Sequence, residues 1–290
     1  MRRTSLLFVG GALLICTQAG LSRQDSYRYE RRLSRGDHLL YEMRTSTEGD
    51  PAELLATVRL NVVERDGVVQ EQVEWLSVRD TAAGERPMAL APYDLLAHPR
   101  TVIASLTGAD DADLLGLVTD LYTLFFSVSP LAGSRKVHVP GDSYTRPEFV
   151  IGDWSNGASF RVGRDRLVVT VRLEALDARR ARFVTQFLPP SGAAWRMHRP
   201  WMEAPVCGSV GNNFEMVRAD GSRFVVLWGC EEFTVRSTVD RATGRILDAE
   251  MDNRLVWRVR VCGDETLSQC VVAPNLTRRR HVTLQLQNAP

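Results

Sequence analysis

Most of the chain alternates apolar and polar side chains with a period of two, which is the pattern of strands with one buried and one solvated face. The clearest case is the pair of segments 54–65 and 68–78. Asp66 and Gly67 join them as a tight turn, because both residue types tolerate positive φ. No strand–helix alternation indicates a parallel sheet. The pattern predicts a mainly β protein: a strongly curved antiparallel sheet or half-open β-barrel of about a dozen strands.

Residues 109–128 depart from this pattern and form the one long segment with helical periodicity. Leu117, Leu121 and Phe125 recur at steps of four, and Phe126 widens the stripe until the segment is apolar nearly all round. A helix of this kind needs cover on most of its sides. We therefore expect the sheet to wrap around this one inserted helical segment.

The C-terminal half reads as a series of short strands separated by polar or glycine-containing breaks. The pattern predicts separate strands at 223–228, 232–239, 245–252 and 255–261. Near the other end of the chain, residues 27–33 alternate in the same way and are predicted as the first strand.

The first residues have the organisation of an export signal. Two arginines precede an apolar run at 6–16, which is too short to span a bilayer. Small residues then favour cleavage after Ala19, which makes residues 1–19 a signal peptide and 20–290 a single exported β-rich domain. The alternative is lipidation at Cys16. No later stretch is apolar enough for a transmembrane span, so we expect a periplasmic or secreted protein of bacterial type.

Four cysteines remain after the predicted cleavage site. An even number in an oxidising compartment favours disulfide bonds, and four cysteines allow three connectivities. We prefer Cys207–Cys230 and Cys262–Cys270, because each pair brackets a predicted hairpin or loop. No C-x-x-C spacing indicates a metal site.

The sequence carries no signature of catalysis. The net charge of +1 argues against a nucleic-acid partner. None of the five histidines stands at metal-ligand spacing from another, and no nucleophile elbow or phosphate-binding loop occurs. The adjacent Glu231 and Glu232 are expected on opposite faces of a strand, where they cannot share one site. We therefore expect a non-enzymatic protein with no cofactor and no metal.

An irregular stretch near the centre of the C-terminal half is rich in large side chains. Its thioether and imidazole groups, with nearby Cys207, are the ligand types that suit copper. The same side chains also suit packing across the end of the sheet or contact with another envelope protein. The candidate interaction loop consists of Trp195, Met197, His198, Trp201 and Met202.

One hairpin in the C-terminal half carries a resemblance to a known family. Val239-Asp240, followed by Thr243-Gly244-Arg245-Ile246-Leu247-Asp248, gives a strand, a turn with glycine and a strand. This segment resembles hairpins of bacterial periplasmic lipoprotein carriers and receptors. The resemblance implies an unclosed barrel that curls round helical segments and takes acyl chains on its concave face.

The leading hypothesis for function is binding of an apolar or amphipathic ligand, a lipid or a lipidated protein, in the concave face of the sheet. The alternative is that the helix is permanent core and the chain is an envelope scaffold or interaction protein. The residues expected to line the ligand site are Leu117, Leu121, Phe125 and Phe126 from the helix, and Val73, Trp75, Trp228 and Trp257 from the sheet.

Overall fold

The structure is a computed structural model. It describes residues 27, 29–65, 67–86, 90–95, 112–128, 137–149, 152–155, 160–164, 167–188, 199–202, 206–208, 211–220, 223–264 and 266–287. The predicted signal peptide lies outside these residues. No helix in the described part of the chain has the length and hydropathy needed to cross a membrane.

The described residues contain fourteen strands, all in one antiparallel sheet. Twelve of the strands are four residues or longer, so the predicted mainly β fold with about a dozen strands is confirmed. The strands are β1 (His38–Thr47), β2 (Glu53–Arg65), β3 (Val68–Asp80), β4 (Gly84–Glu85), β5 (Tyr93–Asp94), β6 (Ser143–Phe149), β7 (Gly152–Ser155), β8 (Phe160–Arg164), β9 (Leu167–Leu176), β10 (Arg180–Leu188), β11 (Asn213–Asp220), β12 (Arg223–Asp240), β13 (Ile246–Cys262) and β14 (Cys270–Leu286).

The main path of the sheet runs β4-β3-β2-β1-β14-β13-β12-β10-β9-β6, and β11, β8 and β7 continue from β12 as a side branch. The sheet is not closed. Its centre is the set of long strands β12, β13 and β14, which pair over most of their length. The predicted hairpin of β2 and β3 is present, with Arg65 opposite Val68 and Gly67 at φ 76° in the turn.

The N-terminal segment shows that the sheet is curved. Tyr29 packs edge-to-face on Phe183 of β10 with ring centroids 6.3 Å apart. Two residues later, Arg31 forms an ion pair with Glu71 of β3. Strands β3 and β10 are six steps apart along the sheet, which would separate them by about 29 Å if the sheet were flat. A segment this short reaches both strands because the sheet curls round the space between them.

The predicted helix is present as α1 (Ala112–Phe126), the one α-helix among the described residues. Its observed end lies two residues before the predicted one, and residues 109–111 are outside the described part of the chain. The helix joins one hydrophobic core with side chains from β1, β2, β3, β9, β10, β12, β13 and β14. The expected arrangement of a sheet around one helix is therefore confirmed.

A second, smaller core lies on the opposite face of the sheet. Phe224, Val226 and Trp228 of β12 point into it, whereas Phe233 and Val235 of the same strand point into the helix core. At the start of β12 the buried side chains are therefore the even-numbered ones, which face the second core. Towards its end they are the odd-numbered ones, which face the helix core.

Glycine allows the strands to meet closely where this change occurs. A Cβ atom on Gly229 would lie 1.8 Å from the carbonyl oxygen of Val256 on β13. A Cβ atom on Gly211, which precedes β11, would lie 2.8 Å from the carbonyl oxygen of Gly229. The close approach of these three backbone segments therefore requires residues without a side chain at both positions.

Of the two preferred disulfide bonds, Cys262–Cys270 is formed, between opposed positions of β13 and β14. The preferred Cys207–Cys230 pairing was wrong for this structure, because no disulfide joins these two residues. Cys230 is buried in the second core, and its Sγ donates to the carbonyl oxygen of Val206 at 2.8 Å. Cys207 is exposed.

The prediction of a first strand at 27–33 was also wrong. Its alternating pattern does mark burial, because Tyr27 and Tyr29 are in the helix core. However, the backbone makes single hydrogen bonds to separate turns, from Tyr27 to His138 at 2.8 Å and from Arg32 to Thr243 at 2.7 Å. An alternating pattern reports which side of a segment is buried, and it cannot tell whether a neighbouring strand is present.

Candidate functional site

The interface between α1 and the sheet is the candidate site. Leu117, Leu121 and Phe125 each have at most 1% of their surface exposed. Phe125 meets the ring of Tyr41 on β1 edge-to-face, with centroids 5.4 Å apart. Phe126 is partly buried and stacks on Tyr122 at 5.6 Å. All four predicted helix residues therefore lie in or against the same core.

Two of the four predicted sheet residues join them. Val73 and Trp75 of β3 are both in the helix core. The indole Nε1 of Trp75 donates to the hydroxyl of Tyr93 at 3.1 Å, which satisfies its polar atom.

The two remaining predicted residues do not share a face. Trp228 is opposite Arg258 in the pairing of β12 with β13, and Trp257 is opposite the next residue, Gly229. Neighbouring residues of a strand point to opposite faces. Trp228 therefore belongs to the second core, and its predicted place beside the helix was wrong.

An ion pair lies within the apolar interface of α1 and the sheet. Asp120 of α1 is 1% exposed, and the side chain of Arg280 on β14 is 17% exposed. Arg280 Nη1 donates to Asp120 Oδ1 at 3.3 Å, and Nη2 donates to Oδ2. The two parallel bonds fix both the angle and the position of the helix on β14.

The surroundings of Arg280 keep it charged. Burial alone would lower the pKa of the guanidinium, but the charge of Asp120 and the hydrogen bonds to it act in the opposite direction, and overall the pKa of Arg280 is raised. Glu231 and Glu215 add smaller contributions in the same direction. Gly116, one turn before Asp120, lets the helix approach, because a Cβ there would lie 3.3 Å from Arg280 Nη2.

Glu231 is a fully buried carboxylate held by amide groups. Asn253 Nδ2 donates to its Oε1 at 2.7 Å, and Asn213 Nδ2 donates to its Oε2 at 3.2 Å. Trp257 Nε1 donates to Asn213 Oδ1 at 2.8 Å, which orients that amide. Asn253 is directly opposite Arg280 in the strand pairing. The helix-facing side of the sheet near Arg280 is therefore polar although it is buried.

Polar contacts also join the end of α1 to the sheet. The Oγ atoms of Ser127 and Ser237 on β12 are 3.4 Å apart. Thr185 of β10 donates from its hydroxyl to the carbonyl oxygen of Ser127 at 2.9 Å. The helix thus has an ion pair with the sheet near its middle, at Asp120, and hydroxyl contacts with the sheet at its C-terminal end, at Ser127.

The N-terminal segment contacts the helix from another side. The guanidinium carbon of Arg31 lies 5.2 Å from the ring centroid of Phe125, within cation–π distance. Arg31 also pairs with Glu71, where burial raises the pKa of the carboxyl and Arg31 offsets part of that rise. This contact connects the helix to β3.

The candidate interaction loop is only partly within the described residues. Trp195, Met197 and His198 lie outside them. Met202 is buried in the second core. The ring of Trp201 is half-buried, edge-to-face on Trp228 at 6.4 Å. The described part of the loop therefore packs on the sheet.

The structure does not place the residues considered for catalysis in one cleft within the described part of the chain. Glu231 is buried on the inner face, whereas Glu232 is on the other face and pairs with Arg254 at 2.8 Å. His138 Nδ1 lies 3.1 Å from the carbonyl oxygen of Tyr27. The chain matches no protein-family model, and no curated protein is similar to it in sequence.

Sequence reasoning missed the polar residues of this interface. Asp120 is the one acidic residue in the apolar stretch 114–128, and an ionisable residue in an apolar stripe was the available signal. Arg280 is the last of three consecutive arginines at 278–280, and the run itself does not mark which of them is buried. Its partner is 160 positions away, so no local pattern connects the two.

Proposed function

We propose that this chain binds an amphipathic ligand, a lipid or the acyl chains of a lipidated protein, in the concave face of its sheet, with α1 as a displaceable cover. The observation that carries the proposal is the pairing of Asp120 with Arg280 inside an otherwise apolar interface. The open sheet and the separate helix supply the architecture that such binding requires.

The polar contacts that α1 makes with the sheet, at Asp120 and Ser127, support displacement for a physical reason. A permanently fixed helix gains little from a buried ion pair, because well-packed apolar side chains of similar volume are often as stable or more so. Charged and hydroxyl groups, by contrast, regain water when the surfaces separate, which lowers the free energy of opening. The contacts of Asp120 and Ser127 have this property.

The apolar contacts determine what must replace the helix. Six side chains of the helical segment are in the core: Leu117, Val118, Leu121, Leu124, Phe125 and Val128. Exposing them would cost about 9–18 kcal/mol, which is comparable with the whole stability of a domain. A 16-carbon acyl chain buries methylene groups worth about 13 kcal/mol. One or two such chains therefore match the surface that the helix covers.

A disulfide that locks the helix tests the proposal. We would replace Ser127 and Ser237, whose Oγ atoms are 3.4 Å apart, by cysteine in a Cys207→Ser background. This end of the helix was chosen because Leu124 and Phe125, both fully buried, lie beside it, and a ligand that enters the core must displace them. Uptake of a fluorescent long-chain phospholipid is measured before and after reduction.

The expected result is uptake by the reduced variant and loss of uptake on oxidation, restored by a reducing agent. The parent Cys207→Ser protein, treated in the same way, controls for reduction of Cys262–Cys270. Equal uptake by the oxidised and reduced forms would show that α1 does not need to move. No uptake by any form, including wild type, would refute ligand binding.

Recruitment of a partner protein is a second candidate function, favoured by an exposed edge of β14. Within the described residues, β1 pairs with β14 only from Arg280 onwards. Over residues 270–278, the side of β14 away from β13 therefore has no neighbouring strand among the described residues. Val271 and Val272 on this edge are 67% and 74% exposed. An exposed edge with apolar side chains is a template for an added strand.

Substitution of both valines distinguishes this candidate from ligand binding. The double variant Val271→Lys and Val272→Lys is expected to lose a partner that co-purifies with the wild type under mild crosslinking, while lipid uptake is unchanged. Retention of the same partner by the variant would exclude this edge as the contact.

A further inference from the structure

Three metal-ligand side chains converge on the outer face of the sheet, opposite the helix. Glu250 and Asp252 are two residues apart on β13 and therefore point to the same side. His281 of β14 is directly opposite Asp252 in the strand pairing. The residues between and beside them, Met251 and Val282, are buried in the helix core, so the three ligand side chains face outwards.

The distances between the ligand atoms suit one small cation. His281 Nδ1 lies 3.3 Å from Asp252 Oδ1 and 3.9 Å from Glu250 Oε1. The three ligand atoms all lie within 4.8 Å of one another. Zinc–nitrogen and zinc–oxygen bonds of about 2.0–2.2 Å place tetrahedral ligands roughly 3.4 Å apart. The observed separations bracket this value, and the side chains need only small rotations to bind.

We propose that Glu250, Asp252 and His281 form a binding site for a divalent transition-metal ion with the ligand preferences of zinc. One imidazole nitrogen and two carboxylate oxygens match those preferences, and a nitrogen ligand favours zinc over calcium or magnesium. All three residues belong to paired central strands, which hold the ligand backbone positions in place.

A neighbouring arginine leaves the ligand atoms available. Arg236 of β12 contacts Asp252 through Oδ2, at 3.4 Å, whereas Oδ1 is the oxygen that faces His281. The two carboxylates balance the charge of a divalent ion. Glu250 and Asp252 are exposed, so water or a further ligand completes the coordination. The competing arrangement is His281 in contact with both carboxylates and without affinity for a metal ion.

Isothermal titration of the tag-free full chain with zinc distinguishes the two arrangements. We expect one zinc ion per chain for the wild type, and binding at least about tenfold weaker for His281→Ala and for Asp252→Asn. His38→Ala is the matched control, because it removes a histidine elsewhere on the sheet: His38 of β1 is exposed and contacts Asn61 of β2. Its affinity for zinc is expected to be unchanged. Cobalt substitution reports the ligand geometry through its visible absorption.

Three results would overturn the proposal. The first is a wild type that binds no zinc at concentrations up to about a hundred micromolar. Its free energy of zinc binding would then be weaker than roughly 5.5 kcal/mol. The second is a His281→Ala variant that binds as well as the wild type. The third is a His38→Ala variant that loses binding to the same extent. Circular dichroism of each variant confirms that it is folded before its affinity is interpreted.

Discussion

Replacing Asp120 with asparagine leaves the guanidinium of Arg280 in the interface without its carboxylate partner. Removing one member of a buried ion pair costs about 3–5 kcal/mol, because the remaining charge stays buried. Arg280 keeps 17% of its side-chain surface in solvent, and Glu231 also interacts with it electrostatically. We therefore expect the low end of the range, a loss of about 3 kcal/mol in the free energy of unfolding.

Urea denaturation of the protein, followed by tryptophan fluorescence, measures this loss. In a separate thermal melt, the expected fall in melting temperature is about 6–12 °C for a domain of this size. The matched control is Glu232→Gln, which breaks the pair of Glu232 with Arg254 on the other face of the sheet. Both of its side chains are about half exposed, so its cost should stay below about 1 kcal/mol.

A double variant separates the ion pair from general damage to packing. Asp120→Leu combined with Arg280→Met replaces both charges by apolar groups, and buried pairs replaced in this way often regain or exceed the original stability. The sum of the stability losses of the two single variants, Asp120→Leu and Arg280→Met, gives the value expected without coupling. We expect the double variant to be at least about 2 kcal/mol more stable than that value. Because apolar contacts would then replace the ion pair between the helix and β14, the lipid uptake of the double variant should fall below that of the wild type.

The reasoning is refuted if the free energy of unfolding of Asp120→Asn lies within about 1 kcal/mol of the wild-type value. An ion pair whose removal costs so little is not buried against the sheet. Equal lipid uptake by the double variant and the wild type would separate the ion pair from ligand binding. In that case the pair would fix the position of a permanent helix.

Three further predictions concern the C-terminal hairpin and the close approach of β12 to β13 at Gly229. Removal of the disulfide by Cys262→Ser and Cys270→Ser should lower the free energy of unfolding by about 2.5 kcal/mol, as measured by chemical denaturation with and without reductant. Gly229→Ala should cost about 3 kcal/mol or more and shift the amide resonances of β12 and β13, because its Cβ would overlap a backbone carbonyl. The hydroxyl of Thr266, followed by backbone amides of the same loop, lowers the pKa of Asp264. The stability that this carboxylate contributes is therefore present at neutral pH and lost on acidification. The difference between Asp264→Asn and the wild type in thermal melts should shrink as the pH falls below about 3.9.

The helix and the first hairpin could be predicted because each has a local signal. Asp66 and Gly67 between two alternating segments specify a hairpin without reference to the rest of the chain. The steps of four among Leu117, Leu121 and Phe125 specify a helix and the face that it buries. In both cases the structure differs from the prediction only at the ends of the elements.

The long strands could not be predicted as single elements. The sequence around 229–231 and 252–254 contains glycine and polar residues, which normally mark breaks. In the structure Gly229 permits the close approach of β12 to β13. The carboxylate of Glu231 accepts a hydrogen bond from the side-chain amide of Asn253 on the next strand. A buried polar residue that is paired across strands looks, in the sequence alone, the same as a loop residue.

The site was only half predictable for a related reason. The apolar members of the interface follow from periodicity, which finds Val73 and Phe125 because each lies on a regular buried face. Trp228 was assigned to the wrong face because the buried face of β12 changes along the strand. Asp120 and Arg280 are paired by the fold, and a single sequence contains no signal for that pairing.

The most direct test of ligand binding is native mass spectrometry of the protein, purified without detergent from its native source and followed by organic extraction. The account predicts a mass above that of the polypeptide, with an extractable species that carries one or two long acyl chains. A mass equal to that of the polypeptide alone, unchanged after incubation with fatty acids or phospholipids, would contradict the account. The helix would then be permanent core, and the exposed edge of β14 would become the leading candidate for function.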